Sequence, residues 1–146
     1  METRQPHVLY IEDHDDTREL VRFVLSARNY RVTTGATVAD ALKLSREHHF
    51  DLYMLDSWLP DGSGIDLCKK LRALDPAIPI MFVSGAAYEA DKETATNSGA
   101  QGYLVKPIDI DVLCREVGKL IDKFAERPEA VEVDAIGNSD LQGAFS

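Results

Sequence analysis

Short apolar runs alternate with segments of helical periodicity along most of this chain. Five such runs are predicted to be strands, at residues 7–11, 30–34, 51–55, 78–83 and 101–105. Between and after them, most segments have apolar residues recurring every three or four positions, as in helices with one buried face. Because strand and helix alternate five times, the pattern predicts an α/β fold whose parallel sheet is covered by helices on both faces.

Turn and capping residues indicate where the predicted helices begin and end. Thr37 with Asp40, and Ser63 with Asp66, form capping-box patterns in front of apolar helical stripes. Asn29 is predicted to end the first helix. The fourth helical segment, up to Gly99, is polar and rich in alanine. Little apolar surface anchors it, which favours movement in this part of the fold.

The composition is that of one soluble domain. The 146 residues are 45% hydrophobic and 28% charged, and the net charge is −9 with no basic run. This charge disfavours binding to nucleic acids or anionic membranes, and the longest apolar runs are too short to span a bilayer. The first residues, METRQPH, contain no apolar signal core, and Cys68 and Cys114 are expected to be reduced thiols. We therefore expect a cytoplasmic protein with no membrane contact.

The regular pattern ends near Phe124, so residues 1–124 are predicted to be the folded domain. Residues 125–146 carry five acids against one arginine and have no periodicity, which is typical of a solvated tail or linker, although their AVEV stretch is compatible with a short strand. No helix-turn-helix or basic recognition helix follows Phe124. We therefore predict no nucleic-acid binding within this chain.

Four of the predicted strands end in residues with charged or reactive side chains. The set comprises Glu12, Asp13, Asp56, Ser84 and Lys106. Since the carboxyl ends of parallel strands share one edge of the sheet, these residues should converge there. Each type has an ordinary alternative role, because acids complement helix starts, serines cap helices and most lysines are solvated. Their combination is what a phosphoryl site requires.

The chemistry of phosphoryl transfer explains these residue types. Mg²⁺ prefers oxygen ligands and takes one or two protein carboxylates besides waters and phosphate oxygens. Asp13 and Asp56 are predicted to bind it directly and Glu12 through a water, with Mn²⁺ as the alternative ion. A carboxylate is also a nucleophile toward phosphorus, so Asp56 can form an aspartyl-phosphate. The metal and Lys106 would then neutralise charge on two of the phosphoryl oxygens, and the Ser84 hydroxyl would donate a hydrogen bond to the third.

Four motifs follow one another along the chain: VLYIEDHDDTR, DLYMLDSWLPDGSG, PIMFVSGAA and GAQGYLVKP. In order and spacing they resemble the receiver domains of response regulators in two-component (phosphorelay) signalling, over residues 8–124. The resemblance implies a flavodoxin-like, doubly wound sheet of five parallel strands in the order 2-1-3-4-5 with five flanking helices, as in single-domain receivers of the chemotaxis type. It also implies that a sensor histidine kinase or a histidine phosphotransfer protein phosphorylates Asp56. By the same resemblance, the Trp58 backbone carbonyl completes the metal shell and the Lys106–Pro107 bond is cis.

The resemblance further implies a switch and an output surface. Ser84 and Tyr103 match the switch positions of the family, although on strand propensity alone Tyr103 is only a half-buried aromatic. Phosphorylation would change a partner-binding face formed by the helix at 87–98, the fifth strand and the last helix. Trp58 and Ala86 match the positions that tune dephosphorylation, unless the indole points outward as an anchor for a partner.

Two departures from the family pattern leave this chemistry intact. The acidic pair is Glu12 and Asp13 where two aspartates are more usual, and Ser84 replaces the commoner threonine while keeping the hydroxyl. Neither change removes a ligand atom, so phosphorylation is still expected. By the resemblance, the protein catalyses its own phosphorylation and slow dephosphorylation and is a signalling protein instead of a classical enzyme.

Three alternative functions remain compatible with parts of the pattern. The chain is either a stand-alone receiver or a receiver excised from a longer regulator or hybrid histidine kinase. An interaction scaffold that no longer depends on phosphorylation would keep the fold, but the intact set of acids, serine and lysine argues against it. A flavodoxin-like cofactor binder or an aspartyl-phosphate hydrolase ranks last. The chain has no glycine-rich loop after the first strand and no second aspartate two residues after Asp56.

Overall fold

The structure is a computed structural model and describes residues 5–125. Its strands are β1 (His7–Ile11), β2 (Arg31–Gly35), β3 (Leu52–Leu55), β4 (Trp58–Leu59), β5 (Gly62–Ser63), β6 (Ile80–Ser84) and β7 (Gly102–Val105). Its helices are α1 (Asp15–Ala27), α2 (Val38–Glu47), α3 (Gly64–Leu74), α4 (Glu89–Ser98) and α5 (Ile110–Ala125).

Five of the strands form one parallel sheet in the order β2-β1-β3-β6-β7. With the short β4–β5 pair left out of the numbering, this is the predicted order 2-1-3-4-5. Ile11, Leu55 and Phe82 lie side by side on the three central strands. All neighbours run parallel, so their carboxyl ends share one edge of the sheet, and the predicted flavodoxin-like α/β fold is confirmed.

The hydrophobic core has two layers, one on each face of the sheet. Leu9, Leu55 and Phe82 pack toward α2, α3 and α4, whereas Tyr10 and Met54 pack toward α1 and α5. Every residue of β1, β3 and β6 is buried. Burial on both faces explains why these strands read as continuous apolar runs and not as alternating patterns.

The predicted helix boundaries are confirmed in part. The Thr37 hydroxyl accepts a hydrogen bond from the Asp40 amide (2.9 Å) and the Ser63 hydroxyl accepts one from the Asp66 amide (3.0 Å). The reciprocal bond of a capping box is not made in α2, because the Asp40 carboxylate accepts from Ala36, one residue before the cap. Asn29 follows α1 with a φ of 71°, the left-handed conformation expected at a helix end.

Two predicted elements begin two residues later than the sequence pattern suggested, and three strands begin one residue later. The fourth strand of the sheet begins at Ile80 instead of residue 78, since Pro79 has no backbone N–H to donate to a neighbouring strand. Helix α4 begins at Glu89 instead of residue 87, because the Asp91 carboxylate accepts from the Tyr88 amide (3.0 Å) and fixes the first turn there. Both changes concern boundaries and leave the topology unaltered.

The antiparallel pair β4–β5 was not predicted. Each strand has two residues, which is too short to produce a periodic pattern. Asp61 lies in the turn between them, and its carboxylate accepts hydrogen bonds from the amides of Val38 (2.8 Å) and Ala39 (3.0 Å). These bonds lower the pKa of Asp61 below its ordinary value. The hairpin therefore caps the start of α2 from 22 residues away.

Helix α4 is held mainly at its carboxyl end. Its buried residues are Ala95 and Ser98, both near that end. The Arg72 guanidinium, from α3, donates to the Gly99 carbonyl just past α4 (Nη2 to O, 2.7 Å) and to the Ile78 carbonyl (2.7 Å). The amino end of α4 has no comparable anchor among its described contacts with residues 5–125, in line with its polar sequence.

Other predictions concern the thiols, membrane contact and the tail. Cys68 and Cys114 are free cysteines, as predicted. Within residues 5–125, no helix has both the length and the apolar character needed to cross a bilayer. The last described residue, Ala125, belongs to α5, one residue beyond the predicted domain end. The rest of the predicted tail, with its AVEV stretch, lies outside the described residues.

Candidate functional site

The charged residues predicted at the strand ends come together at the carboxyl edge of the sheet. One carboxylate oxygen from each of Glu12, Asp13 and Asp56 lies within 4.8 Å of the other two. The Lys106 ammonium, just beyond β7, lies 2.7 Å from Glu12 Oε1 and 3.4 Å from Asp56 Oδ2. The Lys106–Pro107 bond is cis, as predicted. Three acids and one amine thus form a single cluster that combines loops after β1, β3 and β7.

Glu12 is a buried carboxylate with several donors. It is 1% exposed and accepts hydrogen bonds from Lys106 Nζ (2.7 Å), the Tyr10 hydroxyl (2.9 Å) and the His14 amide (3.2 Å). Burial by itself raises the pKa of Glu12, but these three donors outweigh it and hold the pKa below its ordinary value. Glu12 is therefore ionised, and much of its capacity to accept hydrogen bonds is already used by the protein.

Asp56 has the opposite balance. It is 8% exposed, and burial raises its pKa to about 6, with a further rise from the Glu12 charge. Lys106 and the Ser57 amide, which donates to Asp56 Oδ1 at 2.7 Å, offset only part of this rise. The positive charge of Lys106 and the Ser57 amide is therefore too small to offset the cost of ionising the buried Asp56 carboxylate.

Lys106 links the two buried carboxylates. Burial alone would lower its pKa, but the hydrogen bond to Glu12 and the charge of Asp56 outweigh that effect, so its pKa is raised and the amine is charged. The cluster holds one ammonium against three carboxylates in total, since the exposed Asp13 lies beside Glu12 and Asp56. The cluster carries net negative charge and would be stabilised by a cation.

The donor set fits Mg²⁺. All three candidate ligands are carboxylates, which are hard oxygen donors, and Asp13 is exposed to solvent, where waters can complete an octahedral shell. Asp13 and Asp56 are the two carboxylates with most capacity left, because Glu12 already accepts from three protein donors. The acidic pocket can therefore hold a divalent cation.

Ser84 and Tyr103 both form hydrogen bonds with the backbone of Ala86. The Ser84 hydroxyl, 1% exposed, accepts from the Ser57 hydroxyl (2.7 Å) and from the Ala86 amide (3.0 Å). The Tyr103 hydroxyl donates to the Ala86 carbonyl (2.6 Å), and its ring stacks on Phe82 with centroids 6.0 Å apart. The two residues predicted to form a switch are thus connected through Ala86.

Trp58 lies on β4 with 73% of its surface exposed. It borders a cavity of about 290 Å³ between the β4–β5 hairpin and α4. The other lining residues are Ser57, Ser63, Ile65, Ala86, Asp91, Thr94 and Tyr103. The residues predicted to tune dephosphorylation, Trp58 and Ala86, therefore share one cavity with the predicted switch tyrosine.

Sequence reasoning missed three residues of the site. Tyr10 reaches Glu12 because Glu12 directly follows β1 and lies two residues after Tyr10, on the same side of the extended chain, and the alternation of residues along a strand would have indicated this. Ser57, just after β3, reaches Ser84 at the end of the neighbouring β6, which no local pattern predicts. Gly64 begins α3 so close to β3 that a Cβ there would lie 2.0 Å from the Asp56 carbonyl oxygen, so the approach requires glycine.

Binding of Mg²⁺ should weaken as pH falls through about 6. Protons compete with the cation for Asp56, whose pKa is raised to about 6, so the affinity should fall by up to about tenfold for each pH unit below that value. Trp58, the single tryptophan of the chain, provides a fluorescence signal two residues from Asp56. Titrations between about pH 5 and about pH 8 test this.

Asp56→Asn is the matched control, because it should bind Mg²⁺ weakly and with little change across that pH range. An affinity of the unaltered protein that stays constant down to about pH 5 would contradict the assignment of Asp56 as a ligand.

Comparison with known proteins agrees with this geometry. Residues 8–118 match the family model of the response regulator receiver domain. Transcriptional regulatory protein AfsQ1 of Streptomyces coelicolor is 37% identical over 108 residues, which are 74% of this chain and 48% of that protein. Response regulator ArlR of Staphylococcus aureus is 28% identical over 138 residues, which are 94% of this chain and 61% of that protein. The chain thus spans less than two thirds of the length of either relative.

A solved structure has the same fold. The crystal structure of a response regulator receiver domain protein from Methanospirillum hungatei superposes with a TM-score of 0.81 and covers 84% of this chain and 98% of that one. The sequences are 24% identical, so this likeness concerns the fold alone.

Proposed function

This chain belongs to the response regulator receiver domain family, and from that premise we propose that it is a switch that accepts a phosphoryl group on Asp56. As a receiver domain it acts in two-component signalling. The observation that carries the proposal is the Lys106 ammonium, 2.7 Å from Glu12 and 3.4 Å from Asp56, beside the exposed Asp13. In this proposal Asp56 is the nucleophile, Asp13 and Asp56 are the cation-binding pair, and Lys106 supplies the positive charge beside them.

The proposed reaction is the transfer of a phosphoryl group from a histidine to Asp56. An Asp56 carboxylate oxygen attacks phosphorus in line, the bond between phosphorus and the imidazole nitrogen breaks, and its electron pair stays on the nitrogen. The phosphodonor is a sensor histidine kinase or a histidine phosphotransfer protein. The reaction needs positioning and charge neutralisation more than acid–base chemistry, which agrees with a site made of acids and one lysine.

Each residue of the cluster has a proposed role in this reaction. Asp13 and Asp56 would hold Mg²⁺, with Glu12 acting through a water and the Trp58 carbonyl completing the shell. When bound, the ion supplies positive charge on one side of the phosphoryl oxygens. Lys106 can turn from Asp56 to a phosphoryl oxygen as a point charge, and its bond to Glu12 keeps it within reach.

Output is proposed to pass from Ser84 to Tyr103. Ser84 accepts from the Ala86 amide and Tyr103 donates to the Ala86 carbonyl, so a movement of Ser84 toward a phosphoryl group would shift the Ala86 backbone and weaken the hydrogen bond of the Tyr103 hydroxyl. The partner-binding face would comprise α4, β7 and α5. Tyr88 is 81% exposed and Val105 is 36% exposed at this face, and both offer apolar contact to a protein partner.

A second candidate is that the chain is the receiver module of a longer regulator or hybrid histidine kinase. It is favoured by the relatives, of which this chain spans 48% and 61%. The phosphoacceptor chemistry is the same in both versions, whereas the output differs. A scaffold independent of phosphorylation is less well supported, because the acids and lysine are all in place. A cytoplasmic location is part of the proposal and rests on composition.

Incubation with acetyl phosphate and Mg²⁺ tests the proposed function directly. Acetyl phosphate replaces the protein donor, and acetate leaves with the electron pair of the broken bond. Intact-mass spectrometry should detect the mass of one phosphoryl group, and chelation of Mg²⁺ should suppress it. A protein that gains no such mass at saturating acetyl phosphate and Mg²⁺ is not a phosphoacceptor, and the scaffold alternative would then apply.

The phosphorylated state should be comparatively long-lived because of Trp58 and Ala86. The Trp58 indole shields the phosphoryl group from water, and the Ala86 methyl group cannot orient the attacking water. Hydrolysis therefore lacks the rate enhancement that an oriented water would give. Trp58→Asn combined with Ala86→Glu should shorten the lifetime of the phosphoryl group by roughly tenfold, measured by the loss of added mass with time. Trp58→Phe is the matched control, because it keeps an aromatic ring and should leave the lifetime near that of the parent.

A double variant that loses its phosphoryl group no faster than the parent would exclude shielding. Trp58 would then be assigned to contact with a partner, in agreement with its 73% exposure.

A further inference from the structure

The hydrogen bonds of the Ser84 hydroxyl leave one position open. A hydroxyl can donate one hydrogen bond and accept two. The Ser84 oxygen already accepts two, from the Ser57 hydroxyl at 2.7 Å and the Ala86 amide at 3.0 Å. No acceptor for its own proton is found among residues 5–125, although the side chain is only 1% exposed. A buried donor without an acceptor is costly unless a partner arrives.

Ser57 is held in a fixed position beside the phosphoacceptor. It directly follows Asp56 and is 9% exposed. Its amide donates to Asp56 Oδ1 at 2.7 Å, and its carbonyl accepts from the Gly64 amide at 2.7 Å. With both backbone groups bonded, the side chain can turn only about its own χ1 angle. The hydroxyl therefore points to Ser84 from a rigid support.

We propose that Ser57 is a positioning residue for phosphoryl transfer and that it acts through Ser84. By occupying an acceptor position of the Ser84 oxygen, Ser57 restricts the Ser84 proton to the direction that remains open. A phosphoryl oxygen on Asp56 is the acceptor that completes this set of bonds. The inference rests on the proposed function of Asp56, and it adds a residue whose hydroxyl does not itself touch the phosphoryl group.

Loss of the Ser57 hydroxyl should slow phosphorylation. In Ser57→Ala, one acceptor position of Ser84 becomes free, so the Ser84 hydroxyl can rotate into unproductive orientations. The rate with acetyl phosphate should fall by about three- to tenfold, which corresponds to the net contribution of one hydrogen bond. Ser57→Thr keeps a hydroxyl on the same carbon and should recover most of the rate.

A double-mutant cycle separates positioning from a general structural effect. The four proteins are the full-length parent, Ser57→Ala, Ser84→Ala and the double variant. Each is incubated with acetyl phosphate and Mg²⁺, and the initial rate of mass gain is measured. We expect Ser57→Ala to slow the parent by about three- to tenfold and to have no further effect once Ser84 is alanine.

The other outcomes overturn the inference. Equal slowing by Ser57→Ala in both backgrounds would indicate a structural role independent of Ser84. No slowing in the parent background would remove Ser57 from the reaction. A parent that is not phosphorylated at all would refute the proposed function itself, and the inference with it. If alanine impairs folding, Ser57→Cys, which keeps the number of side-chain heavy atoms and replaces the hydroxyl by a weak donor, takes its place in the same cycle.

Discussion

Asp56→Asn should abolish phosphorylation and, at the same time, stabilise the protein without metal by about 3 kcal/mol near pH 7.5. The pKa of Asp56 is raised to about 6 by burial and by the charge of Glu12, whereas an unfolded chain would give about 3.9. Ionising this carboxylate therefore costs free energy in the folded state. Asparagine keeps the shape and removes the charge.

The dependence of this gain on pH identifies its cause. An acid whose pKa is higher in the folded state contributes stability below its unfolded pKa, and that contribution is lost as pH rises through the folded pKa. For Asp56 the window runs from about 4 to about 6. Urea unfolding should therefore give Asp56→Asn its advantage near pH 7.5 and little advantage near pH 4.

Glu93→Gln is a suitable control for this experiment, because Glu93 is an exposed acid on α4. It should change the unfolding free energy by less than about 0.5 kcal/mol at either pH. A loss of stability in Asp56→Asn near neutral pH, or an equal gain at both pH values, would contradict the electrostatic account. Continued mass gain from acetyl phosphate in that variant would refute Asp56 as the phosphoacceptor.

Lys106→Ala should destabilise the protein without metal by about 3 kcal/mol at neutral pH. Glu12 is 1% exposed and would lose its donor at 2.7 Å, which leaves a buried charge without its cation. Since 26% of the Lys106 side chain is exposed, water will compensate for part of the loss, so the estimate lies at the lower end for a broken buried pair. Chemical denaturation measures the difference.

Mg²⁺ should restore much of this stability, because it supplies positive charge to the same acids. The stabilisation by saturating Mg²⁺ should thus be larger in Lys106→Ala than in the parent. Lys106→Met controls for packing, since it keeps a long apolar stem without the charge. If both variants match the parent, or if Mg²⁺ stabilises all three equally, Lys106 is not the counter-charge of Glu12. Lys106→Ala should also uncouple phosphorylation from the Ser84–Tyr103 pair.

The sequence predicts the sheet and the charged cluster well because both depend on local features. A strand buried on both faces is an apolar run, and its end is marked by the first charged residue, as at Glu12 and Asp56. Parallel order then brings the strand ends together. Glu12, Asp13, Asp56 and Lys106 could be assigned to one site for that reason alone.

The features that the sequence does not predict depend on contacts between distant segments. The bond between Ser57 and Ser84 joins residues 27 positions apart, one just after β3 and the other at the end of β6, and its length depends on the register of those two strands. The cap that Asp61 provides for α2 depends on where the short hairpin folds back. Glu12 accepts hydrogen bonds from three donors because its side chain is buried. The sequence shows only a charged residue at the end of a strand, and most such residues are exposed.

The hydrogen bond from Arg72 to the Gly99 carbonyl holds α4 at its carboxyl end, so a tilt of the helix would pivot about that end. The ten residues of α4 span about 15 Å at the usual rise per residue. The pivot lies at Gly99, whose carbonyl accepts from the Arg72 guanidinium. Any tilt about that point is amplified with distance from it, so a rotation of about 10° displaces the far end by roughly 2–3 Å over that length. Tyr88 lies at the opposite end of α4 and is 81% exposed. Its ring would therefore be displaced more than any residue of the helix by a small tilt about Gly99.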